Sequence, residues 1–423
     1  MYKGQVDEVV VNVTREKRAS SAAASSKMET TLALKPTVVG LFAGIGGLEA
    51  GFRKAGYRSV MLCEVDANAR KVLEKQFPDT AITNDIKDLD VLPACDVVTA
   101  GFPCQDLSQV GRRRGIKGPN SGLIEYVMNL LANATIPPTW LVLENVPFML
   151  KLDRGRAISR ITKSLEKMGW AWAYRTIDTR AFGLPQRRRR VILVASKVKD
   201  PRPVLFNSDA GTPDSTPRSN HACGFYWTEG NSGLGWAVDA IPPLKGGSAL
   251  HIPSPPAIWF PQRRLIAVPS IEDAERLQGF PAGWTAPADD DVKGHRRRWR
   301  MVGNAVSVPL AEWLAKRLLT TSSHRTSRDK KFKSGPWPDA AWGKKGERWS
   351  VNVSEWPMQR KYAHLASFLE YPVQPLSVKA TAGFHSRLVE SPLRYEKDFE
   401  RDLKHHMSKY AKKSSKRPRK SKH

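Results

Sequence analysis

The chain has 423 residues, of which 41% are hydrophobic, and its 68 Lys and Arg against 41 Asp and Glu give a net charge of +27. That length leaves room for a large core and two or more domains, and that charge implies a polyanionic partner, for which nucleic acid is the usual candidate. No apolar run approaches the ~20 residues of a membrane span and the N-terminus lacks a signal-peptide apolar core, so no membrane partner is expected.

Residues 1–34 are rich in Ser and Ala and are predicted to be a disordered extension, with Met28 as an alternative start. The run Thr37 to Phe42 then reads as a β-branched strand, Ala43 to Gly47 as a small-residue turn, and a helix begins near Leu48. Gly44, Gly46 and Gly47 let the backbone bend tightly and let a ligand approach amides at a helix N-terminus, although glycines there also serve close packing alone. A second strand ends at Glu64, twenty residues beyond Gly44, where a carboxylate can accept both hydroxyls of a ribose. A third run ends at Asp85, placed to meet an adenine edge or simply to be a solvated loop acid.

The fourth strand candidate, Asp96 to Ala100, leads into Gly101-Phe102-Pro103-Cys104. An isolated cysteine is more often a small buried hydrophobe, but a thiol at the carboxyl end of a parallel strand faces the crevice where open α/β sheets bind ligands. The fifth candidate, Thr139 to Pro147, ends in Glu144-Asn145-Val146-Pro147. A carboxyl at the end of a buried strand, in low dielectric, has its pKa raised and can donate a proton near neutrality. Downstream, Arg187 to Arg190 precede the apolar strand Val191 to Ala195. Alternation along an extended segment predicts that Arg188 and Arg190 share a side and reach one acceptor together. After an excursion of about a hundred residues, Gly303-Asn304 opens an amphipathic helix that reads as a return to the first domain.

In order along the chain, FAGIGG, GFPCQDLS, ENVP, the pattern of Gln186, Arg188 and Arg190, RLQGFP (Arg276 to Pro281) and GNAV (Gly303 to Val306) resemble the DNA (cytosine-5)-methyltransferase family of the bacterial restriction-modification type. The resemblance implies a Rossmann-like α/β fold, an S-adenosylmethionine-dependent methyltransferase domain on a mostly parallel sheet with a smaller irregular target-recognition domain. It implies that Phe42, Gly44, Gly46, Gly47, Glu64, Asp85, Gly101, Pro103, Asn304 and Val306 line an S-adenosylmethionine pocket. Cys104 would attack cytosine C6, Glu144 would act at N3, and Arg188 and Arg190 would stabilise O2, on a base flipped out of double-stranded DNA. One departure is Asp273, where the family often carries glutamate.

The catalytic domain is thus expected over 35–200 plus 301–322, and the target-recognition domain over 201–300, which is Gly-, Pro- and Trp-rich with little periodicity. Arg112, Arg113 and Arg114, in a glycine-containing loop able to close over the flipped nucleotide, are expected to meet phosphates, and Lys245, Arg263 and Arg264 are candidates for reading base edges and backbone, against the plainer reading that they meet only phosphates. Residues 323–423 lie outside the resemblance as a basic extension whose end is a mobile, phosphate-binding tail. Cys63, Cys95, Cys104 and Cys223 show no metal-type pairing, so no metal is expected, and a required thiolate argues for a reducing compartment, the bacterial cytoplasm or nucleoid. A monomer is expected, with a restriction endonuclease acting on the same site. The same chemistry on RNA, and a non-enzymatic nucleic-acid-binding protein that kept the fold, are the alternative readings.

Overall fold

A computed structural model describes residues 35–103, 122–213, 220–229, 233–245, 255–289, 294–320 and 322–415. In chain order the first half contains β1 (Thr37–Leu41), α1 (Gly47–Lys54), β2 (Arg58–Cys63), α2 (Ala67–Gln76), β3 (Ala81–Thr83), β4 (Val97–Ala100), α3 (Leu123–Ala132), β5 (Trp140–Asn145), α4 (Arg156–Lys167), β6 (Ala171–Asp178), β7 (Arg189–Ser196) and α5 (Arg202–Phe206). The strands β3-β2-β1-β4-β5 are parallel neighbours, and β7 and then β6 add to them antiparallel. β1, β4 and β5 are near-continuous runs of buried apolar residues, as a sheet covered on both faces requires.

Alternation along each strand decides which face a side chain serves. Val39, Leu41, Val98, Leu141 and Leu143 pack under α3 and α4 through Val127, Leu131, Ile158 and Leu165. Val38, Val97, Val142 and Ile192 face the other way, against Phe52 of α1 and the returning helix α8 (Val308–Leu319) through Leu310, Trp313 and Leu314. The chain order reverses between β1 and β4, and a crevice opens at their carboxyl ends, the usual ligand position in such sheets.

The segment expected to be irregular contains a small antiparallel sheet. It holds β8 (Cys223–Phe225), β9 (Ala237–Val238), β10 (Ala257–Phe260) and β11 (Leu265–Val268), followed by α6 (Ile271–Leu277) and α7 (Gly294–Asn304). Hairpin strands of two to four residues are too short to show periodicity in a sequence.

Residues 323–415 are woven into both parts rather than set apart. β12 (Asp329–Lys331), β13 (Ala340–Lys344) and β14 (Glu347–Val351) extend the large sheet, because β13 pairs with β6 in the register Trp342↔Ala173. A short helix α9 (Leu365–Phe368) and β15 (Gln374–Pro375) follow, and β15 completes the small sheet beside β11. Two helices, α10 (Val378–Val389) and α11 (Lys397–Ser415), cover that sheet's outer face with Phe384, Leu388, Phe399 and Leu403. The last helix therefore enters the segment read as a tail. Among the described residues no helix is long and apolar enough to cross a membrane.

Candidate active site

The crevice is a cavity of about 380 Å³, a volume suited to a small-molecule ligand. Phe42, Gly44, Gly47, Glu64, Asp85, Gly101, Pro103, Asn304 and Val306 all line it, so nine of the ten residues assigned to a cofactor face one space. Gly46 is the exception. Its φ of +79° makes it the left-handed cap of α1, and a Cβ there would run into the Phe77 ring and Leu73, away from the cavity. Gly46 thus serves packing, whereas Gly44, φ +57°, has nothing within 4 Å of a Cβ position and leaves its side of the turn open.

Glu64 braces that turn. Its Oε2 accepts the Gly44 N–H at 2.7 Å and its Oε1 accepts the Asp66 N–H at 2.8 Å, and burial raises its pKa above the ordinary carboxylate value. Asp85 caps the turn after β3 by accepting the Lys87 N–H at 3.1 Å. Asp66 and Arg300, which lie far apart in sequence and meet at 2.6 Å across the rim, also line the cavity. The pair has no local signal in the sequence.

Behind the turn sits Glu49 of α1, fully buried, with one carboxyl oxygen accepting the Thr99 hydroxyl at 2.9 Å and the other without a partner. Burial pushes its pKa up to about 7 from an ordinary value near 4.5. The fold thus favours the protonated acid, so this stabilisation is complete below about pH 4.5 and is lost as pH rises through about 7. Glu49→Gln, which is neutral at every pH, should remove that loss and be more stable than the parent at pH 8 by roughly 2–3 kcal/mol. Denaturant titrations at pH 5 and pH 8 with parallel differences between the two proteins would refute this.

At the end of β5, Glu144 lines the cavity, nearly buried, and pairs with the Arg190 Nε at 2.8 Å. Asn145 beside it donates to the Phe102 carbonyl at 3.0 Å, which fixes the strand before Pro103. Arg188 does not share an acceptor with Arg190. It is completely buried and donates to the carbonyls of Leu244 at 3.0 Å, Gly303 at 3.1 Å and Ala305 at 2.7 Å. Gln186 is its neighbour in this role, accepting the Leu244 N–H at 3.0 Å and donating to the Leu277 carbonyl at 2.8 Å. Asp273 joins Arg276 at 2.6 Å and accepts the amides of Glu370 at 3.1 Å and Tyr371 at 3.0 Å, so in this chain it anchors the C-terminal segment.

Cys104 and Arg112, Arg113 and Arg114 lie outside the described residues. The other three cysteines are free thiols that burial makes poor anions, with Cys95 and Cys223 pushed up to about 12 and Cys63 raised. Lys245 is paired with Glu229 and stacked 3.6 Å from the Tyr226 ring centroid. Arg264 is joined to Asp402 of α11 at 3.0 Å, and Arg263 rests over Phe260. Carboxylates therefore already match two of the three described cations among the six read as DNA contacts.

Residues 37–221 match the family model described as C-5 cytosine-specific DNA methylase. The chain is 45% identical over 360 residues to Type II methyltransferase M2.BsuMI of Bacillus subtilis strain 168, covering 83% of this chain and 92% of that protein. The chain belongs to the C-5 cytosine-specific DNA methylases. It transfers a methyl group from S-adenosylmethionine to C5 of cytosine in DNA. Type II methyltransferase M.DsaV of Dactylococcopsis salina is 26% identical over 363 residues, covering 77% of this chain and 98% of that one. The Dnmt2 methyltransferase of S. pombe shares the fold at a TM-score of 0.51 and 17% identity, over 67% of this chain and 98% of that chain.

Proposed function

We propose that this methylase acts on one cytosine within a specific sequence of double-stranded DNA, flipped out of the helix, through a covalent bond between Cys104 and C6. The observation that supports this reading best is one cavity at the strand ends onto which Gly44 and Glu64, Pro103 next to Cys104 in the chain, and Glu144 all open. S-adenosylmethionine, held by the turn after β1 and by Glu64, supplies a methyl group on a sulfonium. The Cys104 thiolate would add to C6, C5 would take the methyl group as the sulfonium–methyl bond breaks and S-adenosylhomocysteine leaves, the C5 proton would pass to a base, and the C6–S bond would break to return the thiolate. Glu144 faces N3 and Arg190 faces O2, where charge develops, while Arg188 positions the strand that carries Arg190. The reaction needs no metal.

The reading further includes a monomer working in the bacterial cytoplasm beside an endonuclease of the same specificity. Arg112, Arg113 and Arg114 would close on phosphates near the flipped base, and Arg263 would remain available to the backbone. Bisulfite sequencing of DNA from cells expressing the chain tests the whole proposal. Protected cytosines should fall in a single recurring sequence, and DNA converted at every cytosine would overturn it.

Glu64→Ala should weaken S-adenosylmethionine binding by roughly 1–3 kcal/mol, through lost charge-assisted hydrogen bonds to the ligand and a loosened turn. Calorimetric titration at neutral pH measures it, and an unchanged dissociation constant would remove Glu64 from the pocket.

A further inference from the structure

We propose that His221, Asp239 and His364 bind a divalent transition-metal ion of the zinc class, which fastens the small sheet to the C-terminal segment. The three residues come from distant parts of the chain, and one donor atom of each lies within 4.8 Å of the others. The Asp239 Oδ2 stands 2.6 Å from the His364 Nδ1 and 3.9 Å from the His221 Nδ1, and the two imidazole rings are 5.2 Å apart. Zinc bound at about 2.0–2.1 Å in tetrahedral geometry sets its donors about 3.3 Å apart. Closing the widest gap therefore takes about 1.5 Å of movement, shared between two imidazoles that are not locked in the core, since His364 is 60% exposed and His221 25% exposed.

The carboxylate is already oriented for this role. Asp239 is nearly buried, and its Oδ1 accepts the Leu365 N–H at 2.9 Å, which leaves Oδ2 directed at both histidines. An outer hydrogen bond of this kind fixes a ligating group and is part of a working metal site. Two imidazoles and one carboxylate suit zinc, nickel or cobalt, whereas magnesium and calcium prefer all-oxygen sites. Three protein donors leave a position for water on the exposed His364 side.

The site sits where it can affect the active arginines without touching substrate. The Asp239 carbonyl accepts the Tyr362 hydroxyl at 2.6 Å. Two residues further on, Ile241 accepts the Arg187 N–H and donates to the Pro185 carbonyl, each at 2.9 Å. An ion at Asp239 would thus hold together the recognition part, the segment before Arg190 and residues 362–365. It is a structural site, separate from methyl transfer.

The test uses the untagged, full-length protein stripped by a chelator and titrated with zinc chloride in a calorimeter. One equivalent should bind with micromolar or tighter affinity and raise the thermal midpoint, and magnesium chloride should do neither. His364→Ala and Asp239→Asn should each abolish that equivalent or weaken it at least tenfold, while circular dichroism shows the fold retained. Because His364 is largely exposed, its removal leaves the core intact. Absence of a stoichiometric site, or zinc binding unchanged in His364→Ala, would reduce the cluster to an ordinary His364–Asp239 hydrogen bond.

Discussion

Cys104→Ser abolishes methyl transfer, by roughly 10⁴-fold or more, and leaves S-adenosylmethionine affinity within a few-fold of the parent. A serine hydroxyl supplies almost no anion at neutral pH, whereas a thiolate is a strong nucleophile toward an electron-poor ring carbon. The other three thiols offer no substitute, since Cys63 and Cys223 are buried, Cys95 is half-buried, and all three are shifted away from ionisation. Single-turnover methylation with labelled cofactor measures the loss, and turnover within tenfold of the parent would end the assignment. Trapping provides a second readout. DNA carrying 5-fluorocytosine should form a denaturation-resistant adduct with the parent and none with the variant, because fluorine cannot leave C5 as a proton does.

Much of this site was legible because each element announces itself locally. A β-branched run, a small-residue turn and an acid at the end of the next strand identify Gly44 and Glu64 without any knowledge of what surrounds them, and both line the cavity. Gly46 belongs to the same motif, yet its positive φ and the Phe77 ring give it a packing role that spacing alone cannot separate from ligand contact. Glu49 was invisible for another reason. Only the assembled sheet places Thr99 beside it and removes it from water.

The C-terminal region shows the same limit on a larger scale. Trp342 and Trp349, stacked 3.9 Å apart on the neighbouring strands β13 and β14, belong to the end of the catalytic sheet, but β6, the strand to which β13 pairs, is more than 150 residues away in sequence. Asp402 likewise satisfies the Trp259 indole N–H at 3.1 Å and the Arg264 guanidinium at 3.0 Å, so a cation that reads as a free DNA contact is part of a helix-to-sheet joint. Non-local pairing of this kind leaves no periodicity behind.

Arg188→Ala and Arg190→Ala should fail in different ways, although sequence places them as equivalent members of one pattern. Removing Arg188 takes this donor from the buried carbonyls of Leu244 and Gly303 and leaves that of Ala305 only the longer bond from Gln278 at 3.4 Å. Each orphaned group costs about 1–3 kcal/mol, so the loss is about 3–5 kcal/mol after partial relaxation. Lysine cannot rescue it, because one ammonium does not reproduce the planar fork that reaches three carbonyls. Arg190, by contrast, faces Glu144 at the cavity, and its removal should lower kcat by about 10²–10³ through lost stabilisation of the developing charge, with a smaller fall in thermal midpoint. Differential scanning calorimetry and single-turnover rates on the same two preparations separate the roles. An Arg188→Ala protein that keeps its midpoint but loses its rate would return Arg188 to the reacting base, and an Arg190→Ala protein with full activity would take Arg190 out of the chemistry.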